Sequence, residues 1–162
     1  MINNSFEAHG IDHLSASSIN TYIDDPSMWV MRYLFGYKSA GNPAMWRGTA
    51  IDYAIGSYFG FTSASTESIS DALELSKKHF KQLYEDQKRF LPEHKVDLDK
   101  YVKELKSLNK FTNSAVSFYH SLGKPTDYQK EVNLQLEDLP IPIRGYIDLQ
   151  YKDTIRDIKT TA

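Results

Sequence analysis

The chain has 162 residues, of which 41% are hydrophobic, 13% aromatic and 25% charged, and its formal net charge is −2. This composition is typical of one soluble globular domain with its own core, and it excludes a protein coated with positive charge for nucleic acid. The absence of cysteine excludes disulfides, a thiolate nucleophile, zinc–cysteine sites and iron–sulfur clusters. No apolar run approaches 18 residues and no secretory signal is visible, so we expect a cytoplasmic protein without a membrane span.

The N-terminal third is predicted to form three capped helices. Ser15 is a suitable N-cap, and Leu14 and Ile19 flank it at the positions of a hydrophobic staple. Asp25 and Asn42 are the next N-caps, and each is followed by proline, which suits the first helical position.

Two longer helices are predicted over about 66–92 and 97–123, each with an apolar stripe at helical spacing. Residues 76–110 hold 10 basic and 6 acidic side chains, so this segment could form a modest phosphate-facing surface or two ordinary solvated helix faces. The aromatic runs "MWVMRYLFGY" and "SYFGF" could stack on bases, but their helical spacing favours the core.

The hydrophobic period changes after residue 124. "YQKEVNLQLEDL" alternates apolar and polar residues as a half-buried strand does, and "IPIRGYIDLQY" and "TIRDIKT" read as two further strands joined at "YKDT". Helices over 14–122 followed by strands over 128–160 predict an α+β fold, and the lack of a linker or repeat predicts a single domain over 1–162.

The last two strands bring carboxylates together. A hairpin loop of two residues, 152–153, places Leu149 opposite Arg156 and Asp148 opposite Asp157. A four-residue loop keeps this pairing, whereas a three-residue loop offsets it. Because opposed carboxylates repel, either one of them takes a proton or a cation lies between them.

Lys159 projects from the same strand face as Asp157. Hard oxygen ligands suit Mg²⁺ or Mn²⁺, and a metal-bound water beside a lysine is suited to phosphodiester hydrolysis. In a hairpin open to solvent the same residues would be ordinary surface side chains. Burial of the hairpin is predicted from four apolar positions: Ile147, Leu149, Ile155 and Ile158.

These motifs resemble the PD-(D/E)xK nuclease superfamily in its RecB-like and phage-exonuclease branch. "GYID" matches the family pattern G-h-h-D, "IRDIKT" matches h-h-D-h-K-T, and "LSASSINTYIDDPSMWVMRYLFG" resembles the N-terminal stretch of that branch. The resemblance implies a restriction-endonuclease-like core, in which an N-terminal helical layer packs on a small C-terminal β-meander that bears the site.

The resemblance also implies a role for each matched position. Asp148 and Asp157 would ligate Mg²⁺ or Mn²⁺ together with the backbone carbonyl of Ile158, and Lys159 would assist the attacking water. Glu131 matches a glutamate on the preceding strand of many relatives. It would support the site or ligate a metal, or else be a solvent-facing strand residue.

Three positions depart from the family pattern. Where relatives have histidine, this chain has Asp52, four residues after Gly48 on one helical face; Asp52 is either a substitute oxygen ligand or an ordinary helix carboxylate. Asp25 stands where some relatives have a cluster-binding cysteine, so no iron–sulfur cluster is expected. The chain ends at Ala162, whereas relatives continue with further strands and a helix that grips DNA. We therefore expect a truncated form, a minimal member, or a half completed by a partner or a second copy.

The resulting prediction is a divalent-metal-dependent DNA nuclease. An exonuclease of recombination, repair or phage DNA processing, in a bacterial or phage-infected cell, fits the resemblance best, with DNA and a recombination protein or a second copy as partners. The alternatives are a nuclease-like module that binds DNA or protein without catalysis, and a structural domain in which the carboxylates meet by accident.

Overall fold

A computed structural model describes residues 5–159 of the chain. Within this range the helices precede the strands, which confirms the predicted α+β class. The elements in chain order are Ser5–Ala8 (α1), Ala16–Asp24 (α2), Pro26–Trp29 (α3), a π-helical turn at Val30–Leu34, Pro43–Tyr58 (α4), Ile69–Phe90 (α5), Leu98–Ser121 (α6), Asp127–Leu134 (β1), Ile143–Gln150 (β2) and Ile155–Arg156 (β3). No helix among the described residues is long and apolar enough to cross a membrane.

Side-chain caps set the starts of five helices. In each case the cap oxygen accepts a hydrogen bond from the backbone N–H three residues on, which satisfies a donor left open by the first helical turn. The caps are Ser15, Asp25, Asn42, Ser68 and Asp97. The three predicted N-terminal caps are therefore confirmed.

Backbone contacts group the chain into two compact units. Among the described residues, the first comprises 5–39 together with 129–147, and the second comprises 40–128 together with 148–159. The expectation of a single domain stays a prediction.

The hydrophobic core of the second unit lies among α4, α5 and α6, which pack against one another. Its buried members are Trp46, Ala50, Ile51, Ala54, Ile55, Phe59, Ala72, Phe80, Leu108, Val116, Tyr119 and Leu149. Leu149, near the end of β2, is fully buried among these helical side chains. Burying one leucine contributes roughly 2 kcal/mol, so this residue anchors the end of the strand to the helices.

In the first unit, Leu14 pairs with β2 instead of acting only as a helix staple. It forms a parallel bridge with Ile143, its N–H donates to the Pro142 carbonyl (2.9 Å), and its carbonyl accepts from the Arg144 N–H (2.7 Å). Sequence spacing near a helix start does not reveal this pairing, because the partner lies some 130 residues further along the chain.

Aromatic residues of the first unit are more exposed than predicted. Tyr22, Phe35 and Tyr37 are exposed, and in α2, α3 and the π-helical turn only Ser18 is buried. The predicted core position is therefore wrong for Phe35 and Tyr37 of "MWVMRYLFGY", whereas Trp29 and Tyr33 of that run are half-buried. It is right for Phe59 of "SYFGF", which lies in the core of the second unit.

The three strands lie in the order β1-β2-β3. β2 and β3 are antiparallel, with Leu149 opposite Arg156 and Gln150 opposite Ile155, which confirms the predicted register. The turn is closed by a hydrogen bond from the Tyr151 N–H to the Thr154 carbonyl (2.8 Å).

Two details of the sheet differ from expectation. β3 is only two residues long, and Ile155 is 66% exposed, so burial of the hairpin rests on Leu149 and on the half-buried Ile147 and Ile158. On β1 the apolar positions Val132 and Leu134 are exposed. The predicted half-burial of β1 is therefore wrong.

Candidate active site

The end of β2 holds Asp148 beside the segment that follows β3. Because neighbouring side chains of a strand point to opposite faces, the half-buried Asp148 lies on the face away from the buried Leu149. Its Oδ2 accepts a hydrogen bond of 2.7 Å from the backbone N–H of Ile158. The ladder ends at Arg156, and this side-chain bond continues the contact between the two segments.

Asp157 and Lys159 form an ion pair next to Asp148. Lys159 Nζ lies 2.6 Å from Asp157 Oδ2. The hydrogen bond from Lys159, followed by a hydrogen bond with Asp148, holds the pKa of Asp157 below its usual range. The structure thus brings together the three residues that carry the site prediction.

Lys159 is an exposed, positively charged group at this site. The hydrogen bond and the negative charge of Asp157 raise the pKa of Lys159, so the ammonium form is favoured at neutral pH. A protonated lysine can donate a hydrogen bond to a phosphate or to an attacking water, but it cannot accept a proton. Its side chain is 74% exposed, so it can reach an incoming group.

Tyr119 is a site residue that the sequence analysis missed. It lies in the last turns of α6, and its hydroxyl donates a long hydrogen bond (3.4 Å) to the Asp157 carbonyl. Burial raises the pKa of Tyr119, and nearby Tyr151 and Asp148 raise it further. The helix therefore supports the backbone that carries Asp157. No local pattern marks this role, since Tyr119 reads as one more member of an apolar stripe.

Asp52 lies in α4, and Tyr128 binds it directly. The Tyr128 hydroxyl donates to Asp52 Oδ2 (2.8 Å) and lies 3.2 Å from the Asp52 carbonyl. Burial raises the pKa of Tyr128 well above its usual value, and the charges of Asp52 and Asp148 raise it further. Asp52 therefore lies in direct contact with this hydroxyl. Tyr128 is a second residue that the sequence analysis missed.

Glu131 lies in the other unit, where polar neighbours surround its carboxylate. Its oxygens accept hydrogen bonds from Asn133 Nδ2 (2.8 Å) and the Tyr146 hydroxyl (3.2 Å), and Arg144 Nε lies at 3.4 Å. The hydrogen bond from Asn133 is the main cause of the lowered pKa of Glu131. Its supporting or metal-binding role stays a prediction.

The donor set fits a hard divalent ion with few protein ligands. Asp148 and Asp157 offer carboxylate oxygens, and Mg²⁺ commonly uses one or two carboxylates and completes its shell with water and substrate phosphate. Across residues 5–159, no group of three or more histidine, aspartate or glutamate side chains is close enough to hold a metal ion. Two carboxylates are compatible with Mg²⁺ or Mn²⁺, which need few protein ligands.

Comparison with known proteins identifies the family. A family model described as the PD-(D/E)XK nuclease superfamily matches residues 13–162, which is nearly the whole chain. Neither curated proteins nor solved structures give a match. The matched region contains the hairpin with Asp148, Asp157 and Lys159. Membership of the RecB-like branch of this superfamily stays a prediction. The chain belongs to the PD-(D/E)XK nuclease superfamily.

Proposed function

We propose that this chain is a Mg²⁺- or Mn²⁺-dependent deoxyribonuclease that hydrolyses phosphodiester bonds at the hairpin of β2 and β3. One observation carries the proposal. The hairpin register places Asp148 beside residues 157–159, where the Ile158 N–H donates to Asp148 Oδ2 (2.7 Å) and Asp157 is paired with Lys159 at 2.6 Å. Membership of a nuclease superfamily supports the same reaction class.

Each side chain of the hairpin would have a separate role in this reaction. A bound divalent ion would neutralise charge on the phosphate and would lower the pKa of a water bound to it. Asp148 and Asp157, with the Ile158 carbonyl, would hold that ion, and the Ile158 N–H fixes the orientation of Asp148. Lys159 would donate a hydrogen bond to the phosphate or hold the attacking water.

The finer assignment rests on the resemblance of the sequence motifs. An exonuclease of recombination, repair or phage DNA processing is the form we propose. Lys103, Lys106 and Lys110 are exposed on one face of α6 at helical spacing, and they could contact the DNA backbone through charge alone. Asp52 and Glu131 are proposed as secondary site residues.

The proposal is tested by cleavage of linear duplex and single-stranded DNA with Mn²⁺ or Mg²⁺. We expect Asp157→Asn and Lys159→Met each to lower the cleavage rate at least about a hundredfold, because the first removes a carboxylate that would hold the ion and the second removes the positive charge that would face the phosphate. Asp153→Asn and Lys152→Met are matched controls in the adjacent loop and should cleave as the wild type does. Equal cleavage by Asp157→Asn and Asp153→Asn would overturn the assignment of the site.

A catalytically inactive binding module is the second candidate. It is favoured by the lack of a cluster of three metal-binding side chains among the described residues, and by the ion pair that engages Asp157. This candidate predicts salt-sensitive DNA binding without cleavage, unchanged in Asp157→Asn. It also predicts that Mn²⁺ does not raise the melting temperature, because only a ligand of the folded state stabilises it.

A further inference from the structure

Tyr128 makes a contact that no residue motif of the site predicts. Its hydroxyl donates a 2.8 Å hydrogen bond to Asp52 Oδ2, and these two residues are 76 positions apart in the chain. A tyrosine hydroxyl that binds one carboxylate oxygen restricts the rotation of the aspartate side chain. The orientation of Asp52 therefore depends on where the Tyr128 ring is held.

The ring of Tyr128 is fixed by its packing. Gly56 lies one helical turn after Asp52 in α4, and a Cβ added there would lie 2.5 Å from Tyr128 Cζ and 2.6 Å from Cε1. Phe61 stacks on the same ring, with centroids 6.0 Å apart and planes 24° from parallel. Glycine is unfavourable inside a helix, so its presence here is consistent with a requirement for space.

The backbone after Tyr128 is also constrained. Gln129 has a φ of 49°, a left-handed conformation that is uncommon outside glycine. Such a residue breaks the regular alternation of side chains along a strand, and strained backbone is often found at functional sites. The direction of the Tyr128 side chain is thus set by the backbone as well as by the ring contacts.

Tyr128 also lies close to the strand that carries Asp148. β1 neighbours β2 in the sheet, and the Thr126 N–H, just before β1, donates a 2.7 Å hydrogen bond to the Gln150 carbonyl at the end of β2. The residue whose hydroxyl binds Asp52 therefore lies at the start of β1, beside the end of β2 where Asp148 lies.

We infer that Tyr128 is a positioning residue of the proposed metal site: it holds the Asp52 carboxylate on the side of Asp148, in the space that Gly56 leaves for its ring. This inference rests on the proposed function. Asp52 then contributes negative charge, and an acceptor for water, near the ion that Asp148 and Asp157 would hold. Groups that orient ligands in this way typically change metal affinity ten- to a hundredfold.

The test is Mn²⁺ affinity, measured by electron paramagnetic resonance of free Mn²⁺ during titration of the whole chain. Tyr128→Phe keeps the ring and removes only the hydroxyl, and we expect it to raise the Kd about tenfold. Tyr58→Phe is the matched control, because the Tyr58 hydroxyl makes a similar 2.7 Å bond to His120 Nδ1 rather than to a carboxylate. Circular dichroism establishes that both variants are folded.

A double-mutant cycle separates positioning from simple loss of stability. If Tyr128 acts through Asp52, then Tyr128→Phe should change the Kd little once Asp52→Asn is present. A wild type that binds no Mn²⁺ would overturn the proposed function and this inference together. A wild type that binds Mn²⁺, with Tyr128→Phe equal to it, would overturn the positioning role alone. If Tyr128→Phe does not fold, Asp52→Asn decides, since an unchanged Kd in that variant also refutes the inference.

Discussion

Replacing Gly56 by alanine tests how tightly the Tyr128 ring packs against α4. The added methyl group would lie 2.5 Å from Tyr128 Cζ, whereas carbon atoms in favourable contact are about 3.5–4.0 Å apart. The ring must therefore retreat by about 1 Å. It then loses its 2.8 Å hydrogen bond to Asp52 and disturbs its stacking on Phe61.

Three contributions decide the size of the effect. Overpacking of a well-filled site costs about 1–3 kcal/mol, and the lost hydrogen bond costs about 1 kcal/mol. Alanine is better than glycine inside a helix by about 1 kcal/mol, which acts in the opposite direction. The expected net loss is about 2 kcal/mol, which lowers the melting temperature of a chain of this size by about 4–8 °C.

The assay is thermal unfolding followed by circular dichroism, with Gly145→Ala as the control. A Cβ at Gly145 would meet only a methyl group of Val132 at 3.7 Å, an ordinary contact, so no comparable loss is expected there. In a Tyr128→Ala background the clash is absent, and Gly56→Ala should then be neutral or stabilising. A melting temperature that rises in the single variant Gly56→Ala would refute the reasoning, because helix propensity alone would then explain the result.

Three further predictions concern stability. Glu104→Gln should lower the free energy of unfolding by about 3 kcal/mol in urea titration, because Arg47, 12% exposed, loses its carboxylate partner. Burial lowers the pKa of the His79 imidazole in the folded chain. As the pH falls, the unfolded chain therefore binds a proton at His79 before the folded chain does. This contribution to stability should be complete above about pH 6.5 and should be lost as the pH drops towards the lower pKa of the folded state. His79→Gln should flatten this slope. Leu149→Ala should cost about 3 kcal/mol, and Ile155→Ala less than about 0.5 kcal/mol.

Each of these predictions has a comparison that decides it. The ion pair of Lys77 and Glu74 is largely exposed, so Glu74→Gln should change the free energy of unfolding by less than about 0.5 kcal/mol. If Glu104→Gln had an equally small effect, burial of the Arg47–Glu104 pair would not contribute to stability. An unchanged pH slope in His79→Gln would show that burial does not control this histidine. Equal losses of unfolding free energy in Leu149→Ala and Ile155→Ala would contradict the burial of the Leu149 side chain in the core.

Local chemistry accounts for the features that the sequence predicted well. Ser15, Asp25 and Asn42 mark helix starts because a short polar side chain satisfies an open N–H three residues away. The hairpin register also follows from a short loop and the two-residue period of a strand, which is why Leu149 was correctly placed opposite Arg156. Both kinds of interaction involve residues close together in the chain.

Contacts between distant residues were not predictable in this way. The exposure of Tyr22 depends on what packs beside α2, and the parallel bridge of Leu14 depends on a strand that forms far along the chain. Periodicity states which residues share a face of a helix, but it does not state whether another element covers that face.

The sequence by itself determined the α+β order, the helix caps and the proximity of Asp148, Asp157 and Lys159, because short-range hydrogen bonding and strand period are sufficient for each of these. Only the tertiary structure decided that Tyr128 binds Asp52 and that α6 supports the backbone of Asp157. These contacts join segments 76 and 38 residues apart, and their formation depends on how the helices pack around a shared core. That packing is a property of the whole chain, which no local pattern encodes.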